Sequence, residues 1–131
     1  VDNPRWLAPE IVDNKPYNEK ADTFSFAIIL WELIERRFPY DEYDCPFTAQ
    51  LEAMIVEGAR PTIREAERNS KYGLLMKSAW HNDPAERPSF DEITQDLEDL
   101  YKSLGGVIPD SNNNNNKYLS PSTSGSSTTS K

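Results

Sequence analysis

Three observations on this 131-residue chain predict an all-α fold. The stretch from Ala21 to Arg36 carries apolar residues on nearly every side and is of helix rather than strand length. From Ser89 onward, apolar residues recur at threes and fours behind a helix-start signal. No strict alternation and no two-residue hairpin turn between apolar runs marks a strand anywhere in the chain.

The elements follow in order. After Pro4-Arg5-Trp6-Leu7 comes a short helix, in which Pro9 suits the first turn because it lacks only an N–H that would be unpaired there anyway. Asn14-Lys15-Pro16 ends it. The second helix, Ala21 to Arg36, holds Phe24, Phe26, Ala27, Ile28, Ile29, Leu30, Trp31, Leu33 and Ile34, and a helix apolar nearly all round is expected to be buried on most sides. Asp22 complements its N-terminal dipole, Arg36 and Arg37 its C-terminal one, and Pro39 is the expected stop. A third helix is expected over Phe47 to Glu57, with Leu51, Met54 and Ile55 on one face and Gly58 closing it. A fourth, Lys71 to Trp80, puts Leu75, Met76, Ala79 and Trp80 on one side. The fifth starts with Ser89 and Glu92 in capping-box spacing and aligns Phe90, Ile93, Leu97, Leu100, Tyr101 and Leu104.

Composition divides the chain in two. Residues 105 to 131 are 27 positions of which 15 are Ser, Thr or Asn, including the run Asn112 to Asn116. Such a segment cannot bury enough apolar surface to offset its ordering entropy, so disorder is expected there. Residues 1 to 104 are the expected folding unit and carry 12 basic against 21 acidic side chains. That balance excludes a sequence-independent nucleic-acid binder, which needs clustered Lys and Arg, and a polybasic membrane anchor. The longest apolar run, Phe26 to Trp31, has six residues, far short of a membrane helix. One cysteine, Cys45, and one histidine, His81, allow neither an internal disulfide nor a Cys/His zinc site, and a reducing, cytoplasmic setting is expected. Trp6, Trp31 and Trp80 are read as core or loop anchors, and His81, with no serine or cysteine partner evident, takes no catalytic role. Ser120-Pro121 is a candidate phosphorylation site.

Three separated stretches carry functional information. They are Trp6-Leu7-Ala8-Pro9-Glu10, then Ala21-Asp22-Thr23-Phe24-Ser25-Phe26-Ala27 leading into Leu30-Trp31-Glu32-Leu33, then Trp80-His81-Asn82-Asp83-Pro84-Ala85-Glu86-Arg87-Pro88-Ser89-Phe90. In this order they resemble the C-terminal helical lobe of a eukaryotic protein kinase, whose activation segment closes on Ala-Pro-Glu. The wording is similar to the tyrosine-kinase-like group, whose members mostly phosphorylate serine and threonine. Glu19 to Thr23, Phe26-Ala27, Pro39 to Tyr43 and Glu57-Gly58-Ala59-Arg60-Pro61-Thr62-Ile63 together most resemble Roco kinases of the leucine-rich-repeat type.

The resemblance implies roles residue by residue. Glu10 of the Ala8-Pro9-Glu10 triplet would form a buried ion pair with Arg87, whose planar fork engages a carboxylate through two parallel bonds. Asp22 would accept backbone N–H bonds from a catalytic loop that lies upstream of Val1. Asn3, Pro4, Arg5, Trp6 and Leu7 would form the loop that positions a protein substrate beside the phosphorylated residue. The chain departs from the kinase pattern at Asp2-Asn3, where a Gly-Thr pair is usual, and at Ala27, where glycine is common; alanine is the better helix former.

Phosphoryl transfer needs a glycine-rich loop, a strand lysine paired with a glutamate, a catalytic aspartate with its asparagine, and a magnesium-binding aspartate. None of these motifs occurs in the chain, and Gly105-Gly106 does not continue into a glycine-rich loop. The resemblance therefore implies a fragment of a serine/threonine kinase: no catalytic, cofactor-binding or metal-binding residue lies in it, ATP and Mg belong to the parent protein, and the missing upstream lobe is its expected partner. Two rival readings are a pseudokinase-type interaction scaffold, since integrin-linked-type pseudokinases share the Phe-Ala helix and the Arg-Pro-Thr-Ile stretch, and a free-standing helical binding module.

Overall fold

The computed structural model describes residues 3 to 108. Val1, Asp2 and positions from Pro109 on, including Ser120-Pro121 and most of the segment expected to be disordered, lie outside the described residues. The described residues form five α-helices and no strand: α1 (Pro9–Val12), α2 (Lys20–Glu35), α3 (Thr48–Glu57), α4 (Lys71–Ala79) and α5 (Phe90–Ser103). Short 3₁₀ turns stand at Pro4–Trp6, Glu65–Glu67 and Pro84–Glu86. The all-α expectation holds, and α2 to α5 begin and end within a residue of the bounds read from sequence.

Helix α2 is the axis of the core. Phe24, Ala27, Ile28 and Trp31 are fully buried along it, and it packs most extensively on α4, whose Met76 and Ala79 are equally closed off from solvent. Ala27 is fully buried, so a larger side chain there would have to displace its neighbours. The helix is not covered on every side, however. Asp22, Phe26, Ile29 and Leu33 recur at helical spacing and form a stripe in which Ile29 is 48% and Leu33 71% exposed. Its end falls at the expected place, ahead of Pro39. Arg36 enters the left-handed region at φ 52° and donates its N–H to Glu32 O at 2.8 Å, so the helix stops three residues before Pro39. The reversal lets Pro39 and Tyr40 fold back into the core, where neither is exposed.

The other helices show local causes. Pro9 is the first residue of α1, as its missing N–H allows. Gly58, at φ 108°, closes α3 while the Gly58 and Ala59 N–H groups return to Ile55 O and Met54 O. Ser70 caps α4 by accepting the Gly73 N–H at 3.1 Å. At α5 the capping box is complete: Ser89 Oγ accepts the Glu92 N–H at 3.2 Å and the Glu92 carboxylate accepts the Ser89 N–H at 2.7 Å. Only Ile93 of its aligned apolar residues is fully buried, while Phe90, Tyr101 and Leu104 are exposed.

Candidate functional site: a buried ion pair beneath a pinned loop

Arg87 and Glu10 meet in the interior from positions 77 residues apart. Arg87 Nη1 donates to Glu10 Oε1 at 2.7 Å and Nη2 to Oε2 at 2.9 Å, a bidentate pair with both side chains buried. The remaining donors are also used: Nε on His81 O at 2.7 Å, Nη1 on Lys20 O at 2.9 Å and Nη2 on Asn82 O at 3.4 Å. All five guanidinium N–H groups thus have acceptors, the condition under which a buried cation is tolerated. Burial pushes the Glu10 carboxyl up, but the Arg87 hydrogen bonds, its own backbone N–H and the positive charge of Arg87 and Arg60 outweigh this and hold it below its ordinary value. Lys20 Nζ donates in turn to Arg87 O at 2.6 Å, which ties the start of α2 to the same strand of contacts.

A second guanidinium, missed in the sequence, lies beside the first. Arg60 donates to Trp80 O at 2.9 Å, Ala59 O at 2.7 Å, Ile55 O at 3.2 Å and Asn82 Oδ1 at 2.8 Å. It sits 4.7 Å from the Phe24 ring centre, and Arg87 sits 5.2 Å from the same ring. Arg60 therefore ties the end of α3 to the end of α4 and to the loop that carries Arg87. The only signal for it in the sequence is one cation within Gly58-Ala59-Arg60-Pro61, whose partners are carbonyls that no side-chain pattern reveals.

The segment Asn3 to Leu7 precedes α1. Pro4–Trp6 form a 3₁₀ turn closed by Leu7 N–H on Pro4 O at 3.0 Å. Arg5 and Trp6 anchor the turn. Trp6 Nε1 donates to Glu32 Oε1, Ser25 Oγ donates to Trp6 O at 2.5 Å, and Arg5 Nη1 donates to Pro39 O. Phe38 meets Trp6 edge-on at 5.6 Å and carries the Arg5 guanidinium 4.5 Å from its ring centre. Asn3, Pro4 and Arg5 form one wall of a cleft of about 290 Å³, faced by Phe38 and by Phe47 and Leu51 at the start of α3. The ordered floor thus presents a rigid peptide turn next to an open cleft with an exposed aromatic, Phe47, at its mouth.

The predicted residues therefore fall into three groups. Asn3, Pro4, Arg5, Trp6 and Leu7 border the cleft or the turn that shapes it. Ala8 and Pro9 are buried at the head of α1, and Glu10 and Arg87 join beneath. Asp22 stands apart from the pair, exposed in the first turn of α2 at the head of the Phe26–Ile29–Leu33 stripe. Trp31 and Trp80 are core residues, with Trp31 Nε1 on Thr62 O at 3.0 Å, and His81 Nδ1 accepts the Asp83 N–H at 3.0 Å in a turn.

Among the described residues no group of three or more His, Cys, Asp or Glu side chains is placed to hold a metal ion. No helix among them is long and apolar enough to cross a membrane.

Comparison with known proteins gives a consistent result. The family model described as protein tyrosine and serine/threonine kinase matches residues 2–97. The probable serine/threonine-protein kinase roco8 of Dictyostelium discoideum is 42% identical over 103 residues, which cover 79% of this chain and 6% of that protein. The serine/threonine-protein kinase STY46 of Arabidopsis thaliana is 41% identical over 101 residues, 77% of this chain and 17% of that protein. The probable serine/threonine-protein kinase roco5 of Dictyostelium discoideum is 44% identical over 101 residues, 71% of this chain and 4% of that protein. The chain spans less than a fifth of the length of each of these relatives.

Proposed function

The chain belongs to the protein tyrosine and serine/threonine kinase family, and on that premise we propose that it is the substrate-side floor of a larger, cytoplasmic serine/threonine kinase. The observation that carries this reading is the anchoring of the Asn3–Leu7 turn on the helices, through Trp6 on Glu32, Ser25 on Trp6 O and Arg5 on Pro39 O. A protein substrate would lay the residues next to its phosphorylated serine or threonine against that turn, with Asn3 offering a hydrogen bond and the Phe47-mouthed cleft receiving a side chain. The floor supplies orientation, which is where much of the barrier to a two-substrate reaction is removed.

The chemistry resides elsewhere in this reading: ATP and magnesium, held by an upstream lobe, supply the phosphoryl group. Asp22 is the contact for that lobe. Its carboxylate stands exposed at the helix start with apolar residues beneath it, an arrangement suited to capturing backbone N–H groups of a docked loop. A pseudokinase scaffold is the weaker reading, because the relatives are named as serine/threonine kinases.

The test joins the chain to the coding segment that precedes it and measures transfer from ATP to a serine-containing protein substrate. Transfer by the joined protein, none by the 131-residue chain alone, and a KM raised at least tenfold by Trp6→Ala with kcat less affected are expected. A joined protein that binds no ATP and transfers nothing overturns the enzyme reading in favour of the scaffold.

A further inference from the structure

A groove of about 370 Å³ opens between α4 and α5, away from the Asn3–Leu7 turn. Its floor is Leu75, Leu97 and Leu100, with the half-exposed Leu74 on one lip. Asp96 and Asp99 line the α5 side, and Lys71 is the single cation lining it. Asp99 takes a hydrogen bond from Gln95 at 2.9 Å, which leaves its charge unbalanced. An occupant must therefore be short, apolar and accompanied by positive charge.

The chain itself holds one such segment. Among residues 109 to 131 the only large apolar side chains are Tyr118 and Leu119, and the residue before them, Lys117, is the only cation ahead of Lys131. The chain also turns sharply just past α5. Gly105, at φ 86°, reverses it, and the Gly106 and Gly105 N–H groups return to Tyr101 O at 2.9 Å and Lys102 O at 3.0 Å. Gly106 is pressed on the Tyr101 ring, where an added Cβ would stand 2.3 Å from a ring carbon. From this reversal back to Asp96 is about 12 Å along the helix. The eight residues 109 to 116, mostly Asn, precede Lys117, and eight residues reach at most about 26 to 29 Å, enough to cover that distance.

We propose that Lys117-Tyr118-Leu119 docks in the α4–α5 groove, with Tyr118 and Leu119 on the leucine floor and Lys117 beside Asp96 and Asp99. Three side chains bind weakly by themselves. A short tether, however, supplies an effective concentration on the order of millimolar, so an intrinsic Kd of about 1 mM keeps the groove half filled. Nothing in this docking depends on phosphoryl transfer, and its test reads no activity.

Hydrogen exchange of the full 131-residue chain is compared with that of a chain ending at Ile108. Exchange of the amides of residues 71 to 78 and 96 to 104 at least twofold slower in the full chain is expected, with no dependence on dilution. The Y118S/L119S double variant should match the truncated chain, and K117E should lose most of the protection; all three substitutions lie outside residues 3 to 108 and leave the core intact. No difference at the groove between full and truncated chains, whatever the rest of the molecule does, overturns the proposal. Protection that vanishes on tenfold dilution overturns it too, since a second copy is then the occupant.

Discussion

At the scale of single residues, the Glu10–Arg87 pair sets how the molecule responds to substitution and to acid. Removing one member strands the other's charge in the interior, which typically costs about 3 to 5 kcal/mol. Arg87→Lys should be nearly as harmful as Arg87→Ala, because a lysine ammonium cannot span Glu10 Oε1 and Oε2 while also reaching the His81, Lys20 and Asn82 carbonyls. The Glu10 carboxyl titrates lower in the folded chain than its ordinary 4.5. Its charge therefore adds stability that is complete above that value and is lost as pH falls through the folded one. Thermal melts recorded from neutral pH downward should show a midpoint that falls below about pH 4.5, and the fall should be shallower in Glu10→Gln. Equal acid sensitivity in both proteins would remove Glu10 from the account. The pair was legible in sequence because two motifs, Ala-Pro-Glu and the stretch around Arg87, each point to one member. Arg60 was not, since its acceptors are main-chain carbonyls and one amide brought near only by folding.

At the scale of elements, helix ends show where local chemistry suffices and where packing intervenes. The Ser89–Glu92 box and the Gly58 stop form from neighbours in sequence, and both stand where the sequence reading put them. The end of α2 falls at Arg36 as read from the sequence, but the left-handed turn there, which brings Pro39 and Tyr40 back into the core, has no glycine to mark it. Gly73 shows the same effect inside a helix. Nothing in Lys71-Tyr72-Gly73-Leu74 marks that glycine as required, yet a Cβ there would stand 1.9 Å from the backbone oxygen of Glu67 in the preceding 3₁₀ turn. On helix propensity alone Gly73→Ala should stabilise by up to about 1 kcal/mol. The clash reverses the sign, and a loss of about 1 to 3 kcal/mol is expected because a backbone atom must move. Ser89→Ala, which removes one cap bond without a clash, should cost about 1 kcal/mol. Urea titration of both variants checks the order, and a stabilised Gly73→Ala would show that the turn yields freely.

At the scale of the whole molecule, the exposed stripe on α2 separates a free-standing domain from one face of a larger one. The helix that forms the core axis buries Phe24, Ile28 and Trp31 on one side and leaves Ile29 and Leu33 largely in solvent on another, below the unpaired carboxylate of Asp22. In a complete domain such residues contribute little, and truncating them changes stability by no more than about 0.5 kcal/mol. Packed under an upstream lobe, each Leu or Ile to Ala change costs about 2 to 5 kcal/mol. The same pair of substitutions, Ile29→Ala and Leu33→Ala, thus has two distinct outcomes according to context. In the 131-residue chain the folded fraction should be nearly unchanged, while light scattering and dye binding fall as the apolar surface shrinks. In the chain joined to its upstream segment the same changes should lower the melting temperature sharply and uncouple the two parts. A null effect in the joined protein would mean that nothing packs on the stripe, and the chain would then have to be read as a helical module whose bare face serves another partner.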